Sequence, residues 1–198
     1  MRVSLFIRTL SLLCVMQFMH LASAQSEEEL IAAATLSLPE HLRSNATVLD
    51  RSTNPPTVVR QGSNGITCMS DAPASGYDAS CVDQSWFPYG QRLGELRAEG
   101  LSLREANKIV NEELANGSLA LPNPGALANT VSGPDADNLE VLTTIFLGES
   151  ASAVSGIVTE ENDQVWIMCA GTPQAHLMIG PVRFQLKDID LKDQCGID

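Results

Sequence analysis

The number and spacing of the cysteines constrain the fold of this chain more than any other sequence feature. Five cysteines occur in 198 residues. Cys14 lies in an apolar run near the N-terminus, and four others follow at Cys68, Cys81, Cys169 and Cys195. An even number of cysteines in a chain that folds outside the cytosol predicts disulfides, and four cysteines allow three pairings. We favour the two local pairs, Cys68 with Cys81 and Cys169 with Cys195, because short loops close at low entropic cost.

Other uses of these four cysteines fit their spacing less well. No Cys-x-x-Cys pair occurs, so the chain lacks the spacing of a redox-active dithiol. The cysteines also do not form two close pairs, which is the arrangement that structural zinc sites use. We therefore expect two structural disulfides and no metal site.

The first 24 residues have the features of a cleaved export signal. They contain Arg2 and Arg8 and no acidic residue, and an apolar run follows from Leu10 to Leu21. The run is shorter than the roughly 18 residues that a membrane-spanning helix needs. It ends at Ala22-Ser23-Ala24, the small-x-small pattern that signal peptidases recognise.

A lipid anchor is the nearest alternative, because Cys14 lies within the apolar run. A lipid-attachment cysteine follows a small residue, whereas Leu13 precedes this one. No second apolar run of about 18 residues occurs in the sequence. We therefore expect residues 1–24 to be removed. Residues 25–198 are then one exported domain, secreted or periplasmic, that does not insert into a membrane.

The charge of the expected mature chain argues against two classes of partner. The sequence has 12 Lys and Arg and 24 Asp and Glu, and two of the basic residues lie in the leader. Residues 25–198 therefore have 10 basic and 24 acidic residues, a formal net charge of −14. Such a charge repels phosphate backbones and anionic lipid surfaces. We expect an unknown small molecule or protein as the partner, and no nucleic acid.

The residue pattern predicts strands towards both ends of the mature chain. Short runs rich in β-branched residues, separated by turn-forming Gly, Pro, Asn and Asp, are typical of strands. In the first half they are Thr47–Leu49, Thr57–Val59 and Ile66–Met69, and we expect them to form an antiparallel meander. In the second half they are Val141–Leu147, Val154–Thr159, Val165–Cys169, His176–Ile179 and Val182–Leu186.

Helical signals lie at the start and in the centre of the mature chain. Ser26 with Glu29, and Ser102 with Glu105, each have the spacing of a capping box. Gly117 follows a run of apolar residues at helical spacing and is expected to end the second helix. Residues 121–137 are rich in Pro, Gly, Asn and Asp, and we expect a long loop there. The predicted fold class is α+β: a small antiparallel β-sheet with two or three helices, stapled by two disulfides.

Few residues of the mature chain suit catalysis or cofactor binding. Its two histidines, His41 and His176, are too far apart for a His-x-x-x-His metal motif. Residues 148–152 approach the G-x-S-x-G elbow of serine hydrolases, but Ser152 replaces the final glycine. Three aspartates in one segment are chemically suited to bind calcium, but their spacing is not that of an EF-hand loop, so we favour the interpretation that they are solvated surface residues. They are Asp71, Asp78 and Asp83. We expect no cofactor.

Two segments are the candidate sites. Trp86-Phe87-Pro88-Tyr89 follows Cys81, and its aromatic residues either form core or line an apolar pocket with the polar tips of Trp86 and Tyr89. His176 lies at the start of a strand beside the turn Gly171-Thr172-Pro173. There an imidazole with an ordinary pKa of about 6.5 is able to act as acid or base. The alternative is that His176 only forms a hydrogen bond to the turn.

Three segments of the mature chain resemble stretches of a group of bacterial exported proteins with no assigned activity. They are Ala46–Leu49, Gly62–Met69 and Gly171–Met178. The resemblance covers the two strand-rich parts of the chain and does not extend to residues 91–148. It implies an exported protein with a shared scaffold, and it transfers no catalytic residue.

Two functions compete on these observations. The first is a non-catalytic exported domain that binds a small molecule or a protein. The alternative is a periplasmic or secreted hydrolase-like or metal-dependent enzyme that uses His176 with carboxylates brought near it by the fold. The lack of a catalytic motif favours the first, because a functional claim must rest on a site.

Overall fold

The computed structural model describes residues 26–53, 55–70, 77–135, 137–148, 156–162, 164–181 and 190–197. These residues form a mixed α+β structure with one eight-stranded sheet and five α-helices. The strands are β1 (Thr47–Asp50), β2 (Thr57–Arg60), β3 (Ile66–Ser70), β4 (Tyr77–Asp83), β5 (Leu127–Gly133), β6 (Glu140–Phe146), β7 (Val165–Met168) and β8 (His176–Ile179). The helices are α1 (Glu27–Ala34), α2 (Glu40–Arg43), α3 (Phe87–Ala98), α4 (Leu103–Asn116) and α5 (Leu191–Cys195). Within these ranges no helix combines the length and apolar character that crossing a membrane requires.

Six of the eight predicted strands are confirmed, and so are both capping boxes, whereas the described part of the predicted strand Val154–Thr159, from Gly156 onwards, is a turn with irregular backbone and not a strand. The leader, the segment Val182–Leu186 and the first part of Val154–Thr159 lie outside the described residues. The side chains of Ser26 and Ser102 each accept a hydrogen bond from the backbone N–H of the glutamate three residues later. The carboxylate of that glutamate in turn accepts a hydrogen bond from the backbone N–H of the serine. Gly117 ends α4 in the left-handed conformation, at φ 77°.

The sheet is larger than expected, the described residues form five α-helices where two or three were expected, and the first three strands do not form a meander. The strand order is β2-β1-β3-β4-β5-β6-β8-β7. Strand β1 lies between β2 and β3 and pairs in parallel with β3, whereas every other pair is antiparallel. The chain leaves β2 and passes close over the start of β1, where Ser63 N donates to Asn45 O over 2.8 Å. A Cβ on Gly62 would lie 2.3 Å from Asn45 O, so this crossing requires glycine.

Strand β5 lies in a segment that the sequence pattern assigned to a loop, and β4 was not among the predicted strands. Strand β4 includes Cys81, and the central strand β5 occupies much of the expected loop at residues 121–137. The sequence of β5 contains more polar residues than is typical of a strand, but the neighbouring strand β6 supplies a hydrogen-bond partner. Thr143 Oγ1 on β6 donates to the buried Asn129 Oδ1 on β5 over 2.8 Å. Packing between two strands has outweighed local propensity here.

The two disulfides join the pairs that the sequence favoured. Cys68 and Cys81 lie directly opposite each other on β3 and β4, with Cα atoms 4.0 Å apart. Cys169, in the turn after β7, is bonded to Cys195 at the end of α5, with Cα atoms 5.1 Å apart. All four cysteines are buried. The first disulfide thus links two neighbouring strands, and the second attaches the last helix to the sheet.

Helices cover opposite faces of the sheet at its two ends. Helix α1 packs on the β1–β3–β4 half, where Ala34 and Leu38 share a core with Cys68 and Cys81. At the other end, Leu191 of α5 packs on a core that includes Trp166 of β7. Because strand side chains alternate between faces, the strand register places these two cores on opposite sides. A further cluster joins α3 to α4.

Helix α5 contacts the backbone of α4 so closely that a glycine is required at its end. Gly196 has φ 62°, and a Cβ there would lie 2.6 Å from the backbone of Asn107 and Lys108. Gly94, by contrast, lies inside α3 with no atom within 4 Å of the corresponding position. The two glycines therefore form a matched pair for substitution by alanine.

We expect Gly196→Ala to lower the free energy of unfolding by about 2 kcal/mol or more, from left-handed strain and the backbone clash. Gly94→Ala should raise it by about 0.5–1 kcal/mol, because alanine is the better helix former. Urea denaturation of both variants measures the two effects. Unchanged stability of Gly196→Ala would contradict the close contact between α5 and α4.

Candidate functional site

The three residues predicted as site candidates meet in one aromatic cluster. Trp86 ends the single 3₁₀ turn after β4, Tyr89 lies in the first turn of α3, and His176 begins β8. The ring centroid of Trp86 is 6.0 Å from that of Tyr89 and 6.4 Å from that of His176. Both pairs are nearly perpendicular, which is a favourable edge-to-face geometry for aromatic rings.

Phe146 completes the cluster and was not among the predicted site residues. Its ring centroid lies 5.7 Å from that of Trp86, again edge to face. The β6–β8 register places Phe146 directly opposite His176, on the same face of the sheet. The apolar residues of the predicted strand Val141–Leu147 are adjacent and do not alternate, so the sequence did not assign Phe146 to a face, and the pairing with β8 was needed to place it beside His176.

The cluster encloses a small cavity. Its volume is about 20 Å³, and its lining residues are Trp86, Tyr89, Leu114, Pro122, Phe146, Gln174 and His176. A volume of this size is sufficient for about one water molecule. Pockets for small organic ligands measure about 300–1,000 Å³. The aromatic side chains therefore pack mainly against one another, and the cavity has no room for an organic substrate.

The imidazole of His176 is held by a backbone carbonyl. Its Nδ1 lies 2.7 Å from the oxygen of Gln174. Because a carbonyl oxygen only accepts hydrogen bonds, Nδ1 must carry the proton. Burial lowers the pKa of His176 below its ordinary value, and the bond to the Gln174 carbonyl opposes that shift only in part. His176 is therefore neutral near pH 7, with its Nε2 unprotonated.

The described residues do not supply His176 with the usual partners of a catalytic histidine. Among them, no carboxylate or hydroxyl forms a hydrogen bond with His176, and no three His, Cys, Asp or Glu residues are grouped to hold a metal ion. Of the calcium candidates, Asp71 lies outside the described residues and Asp78 is exposed. Asp83 caps the 3₁₀ turn, because its Oδ1 accepts from Ser85 N over 2.8 Å.

A buried amide network lies beside the aromatic cluster and was missed by the sequence reasoning. Tyr89 Oη donates to Gln174 Oε1 over 2.9 Å, and burial raises the pKa of Tyr89 to about 12. Gln174 Nε2 donates to Asn111 Oδ1 over 2.9 Å and to the Asn107 carbonyl over 3.3 Å. The only sequence signal was the pair of asparagines on α4, four residues apart and thus on one helical face.

The same asparagines bind the last helix. Asn107 Nδ2 donates to the Asp193 carbonyl over 3.2 Å, and Asn111 Nδ2 donates to the Cys195 carbonyl over 2.9 Å. The network therefore joins α3, α4 and α5 to the turn that contains Gln174. Because the Gln174 carbonyl also holds His176, the network positions the imidazole as well.

A second, open concavity of about 410 Å³ lies beside β7. Its lining residues are Gly156, Ile157, Val158, Asn162, Gln164 and Val165, and none of these has an ionisable side chain. Asn162 Oδ1 accepts from Val165 N over 3.0 Å, and its Nδ2 donates to Val165 O over 3.2 Å. Ile167 N donates to Val158 O over 2.9 Å. These bonds occupy the outer edge of β7 and protect it against pairing with another strand.

Comparison with known proteins gives no relative for this chain. It matches no protein-family model, no curated protein sequence and no solved structure. The function must therefore be argued from the site geometry described above.

The lowered pKa of His176 predicts a specific pH dependence of stability. Because the unfolded chain binds the histidine proton at a higher pH than the folded chain, the free energy of unfolding should fall as the pH drops below about 6.5. Between about pH 7 and pH 5, the free energy of unfolding of His176→Gln should fall by less than that of the wild type. The pKa values of Glu29, Glu105 and Glu113 are lowered, so protonation of these carboxylates reduces the free energy of unfolding only at more acidic pH.

Urea denaturation across this pH range measures the effect, with His41→Gln as the control because His41 is exposed. Parallel stability profiles for the wild type and His176→Gln would show that His176 is not desolvated in the folded protein.

Proposed function

We propose that residues 25–198 act outside the cytosol as a non-catalytic binding domain, with a protein as the favoured partner. The observation that carries the proposal is the environment of His176. The one histidine with a candidate catalytic position is neutral, packed among aromatic rings and bonded to the Gln174 carbonyl. General acid–base chemistry requires reach to a substrate proton, and a cavity of about 20 Å³ does not admit a substrate.

Export is supported by the cysteines and by the leader. Both disulfides are formed between buried cysteines, and such bonds persist in oxidising compartments. Residues 1–24 have the charge, apolar run and small-x-small ending of a cleaved signal. The net charge of −14 on residues 25–198 favours solubility.

A protein partner fits the described surface better than a small molecule. The aromatic cavity is too small for an organic ligand, and the described residues that line the concavity beside β7 offer no ionisable group to orient one.

The proposal predicts no hydrolytic turnover that depends on His176. The sample is the exported chain, purified without reductant, whose mass should match residues 25–198 with both disulfides closed. Ester, phosphate, glycoside and peptide substrates are assayed with the wild type, His176→Gln and the control His41→Gln. All three proteins should show the same background rate, because the cluster excludes substrate from the imidazole.

Turnover that is present in the wild type and in His41→Gln, and lost in His176→Gln, would contradict the proposal. That result would support the alternative, a hydrolase-like or metal-dependent enzyme that uses His176 with nearby carboxylates.

A further inference from the structure

The chain contains two Asn-Gly sequences, and the structure holds them in different surroundings. They are Asn64-Gly65, between β2 and β3, and Asn116-Gly117, at the end of α4. In an Asn-Gly pair, no Cβ shields the glycine nitrogen from the asparagine side-chain carbon. We propose that Asn116 is a site of spontaneous covalent modification in the folded protein, where deamidation yields aspartate and isoaspartate, and that Asn64 is protected.

The exposed end of α4 favours this reaction at Asn116. Asn116 and Gly117 are both exposed, and Asn116 is the last residue of the helix. The backbone N–H of Ser118 donates to Asn116 Oδ1 over 2.9 Å. A donor in this position polarises the side-chain carbonyl and stabilises the negative charge that develops on its oxygen during attack.

The attacking group is the backbone nitrogen of Gly117. Its N–H donates to Leu114 O over 3.3 Å, which is longer than the usual 2.7–3.2 Å of such bonds. This bond belongs to the last turn of the helix, and helix ends fray readily. Fraying releases both the nitrogen and the Asn116 side chain, so the reactive geometry is reached without unfolding the core.

The reaction consumes one water and releases one ammonia. The Gly117 nitrogen loses its proton to solvent and bonds to Asn116 Cγ, and the side-chain nitrogen takes up one proton from solvent and leaves as ammonia. Water then opens the resulting five-membered imide at one of its two carbonyl carbons. Opening at Cγ gives aspartate, and opening at the backbone carbonyl gives isoaspartate. No oxidation or reduction takes place.

Asn64 has the same local turn but is held in place. Ile66 N donates to Asn64 Oδ1 over 3.0 Å, and Gly65 has φ 74°, close to the value of Gly117. The difference is that Asn64 Nδ2 donates to Leu42 O over 3.1 Å and that the side chain is half-buried. Release of ammonia from Asn64 therefore requires this part of the chain to separate from α2. Release of ammonia from Asn116 requires only that the end of α4 frays.

Modification of Asn116 places a carboxylate at the C-terminus of α4. Negative charge is unfavourable at this end of a helix, and Glu112 lies one turn earlier on the same face. The last turn of α4 contains Leu114, which lines the aromatic cavity. Deamidation therefore acts as a slow, irreversible change at the helix end that borders the candidate site.

The test compares the two asparagines within one protein. The mature chain, with both disulfides intact, is kept in warm, mildly alkaline buffer, and peptide mass spectrometry follows both residues. In the folded protein, Asn116 should react at least about tenfold faster than Asn64, which corresponds to about 1.4 kcal/mol of local protection at Asn64. In concentrated urea the two rates should approach each other, because the sequence pair is the same.

One variant tests the attacking nitrogen. Gly117→Ala shields this nitrogen and should slow the reaction at Asn116 without changing Asn64, with circular dichroism to check that α4 is retained. Equal rates at both asparagines in the folded protein, or a faster reaction at Asn64, would overturn the proposal. An unmodified Asn116 after complete reaction of the urea-treated sample would overturn it as well.

Discussion

The side-chain amide of Gln174 connects the helical layer to the sheet, and much of the structure depends on it. Gln174 is buried, so both ends of its amide need partners. Tyr89 of α3 donates to its oxygen, and Asn111 of α4 accepts from its nitrogen. Its backbone oxygen holds His176. Loss of any one of these partners leaves a buried polar group unsatisfied, at a cost of about 1–3 kcal/mol.

The disulfide between Cys169 and Cys195 acts together with this network. It attaches the end of α5 to the turn after β7, and Asn107 and Asn111 bind the backbone of the same helix. Three helices and one turn are thus fixed to one another by one covalent bond and a few hydrogen bonds. A polar network whose members all have hydrogen-bond partners makes this region rigid and specifies a single packing.

Part of this structure could be predicted from the sequence. The cysteine pairs followed from loop length, and α4 followed from its capping box and glycine end. Trp86, Tyr89 and His176 were predicted as candidates in two separate segments, but their meeting in one cluster was not predicted. Strand β5 was missed because its polar residues have low strand propensity alone. Phe146 and Gln174 were missed because their roles arise only from pairing between distant segments.

The central claim is that His176 is a neutral, packed side chain and not an accessible acid–base group. Nitrogen NMR of a protein that comprises residues 25–198, with the two imidazoles distinguished by a His41→Gln variant, tests this most directly. We expect His176 to be the tautomer protonated at Nδ1 at neutral pH, and to titrate only below its ordinary pKa of about 6.5. A ring that is protonated at Nε2 alone, or that is positively charged at neutral pH, would contradict the account.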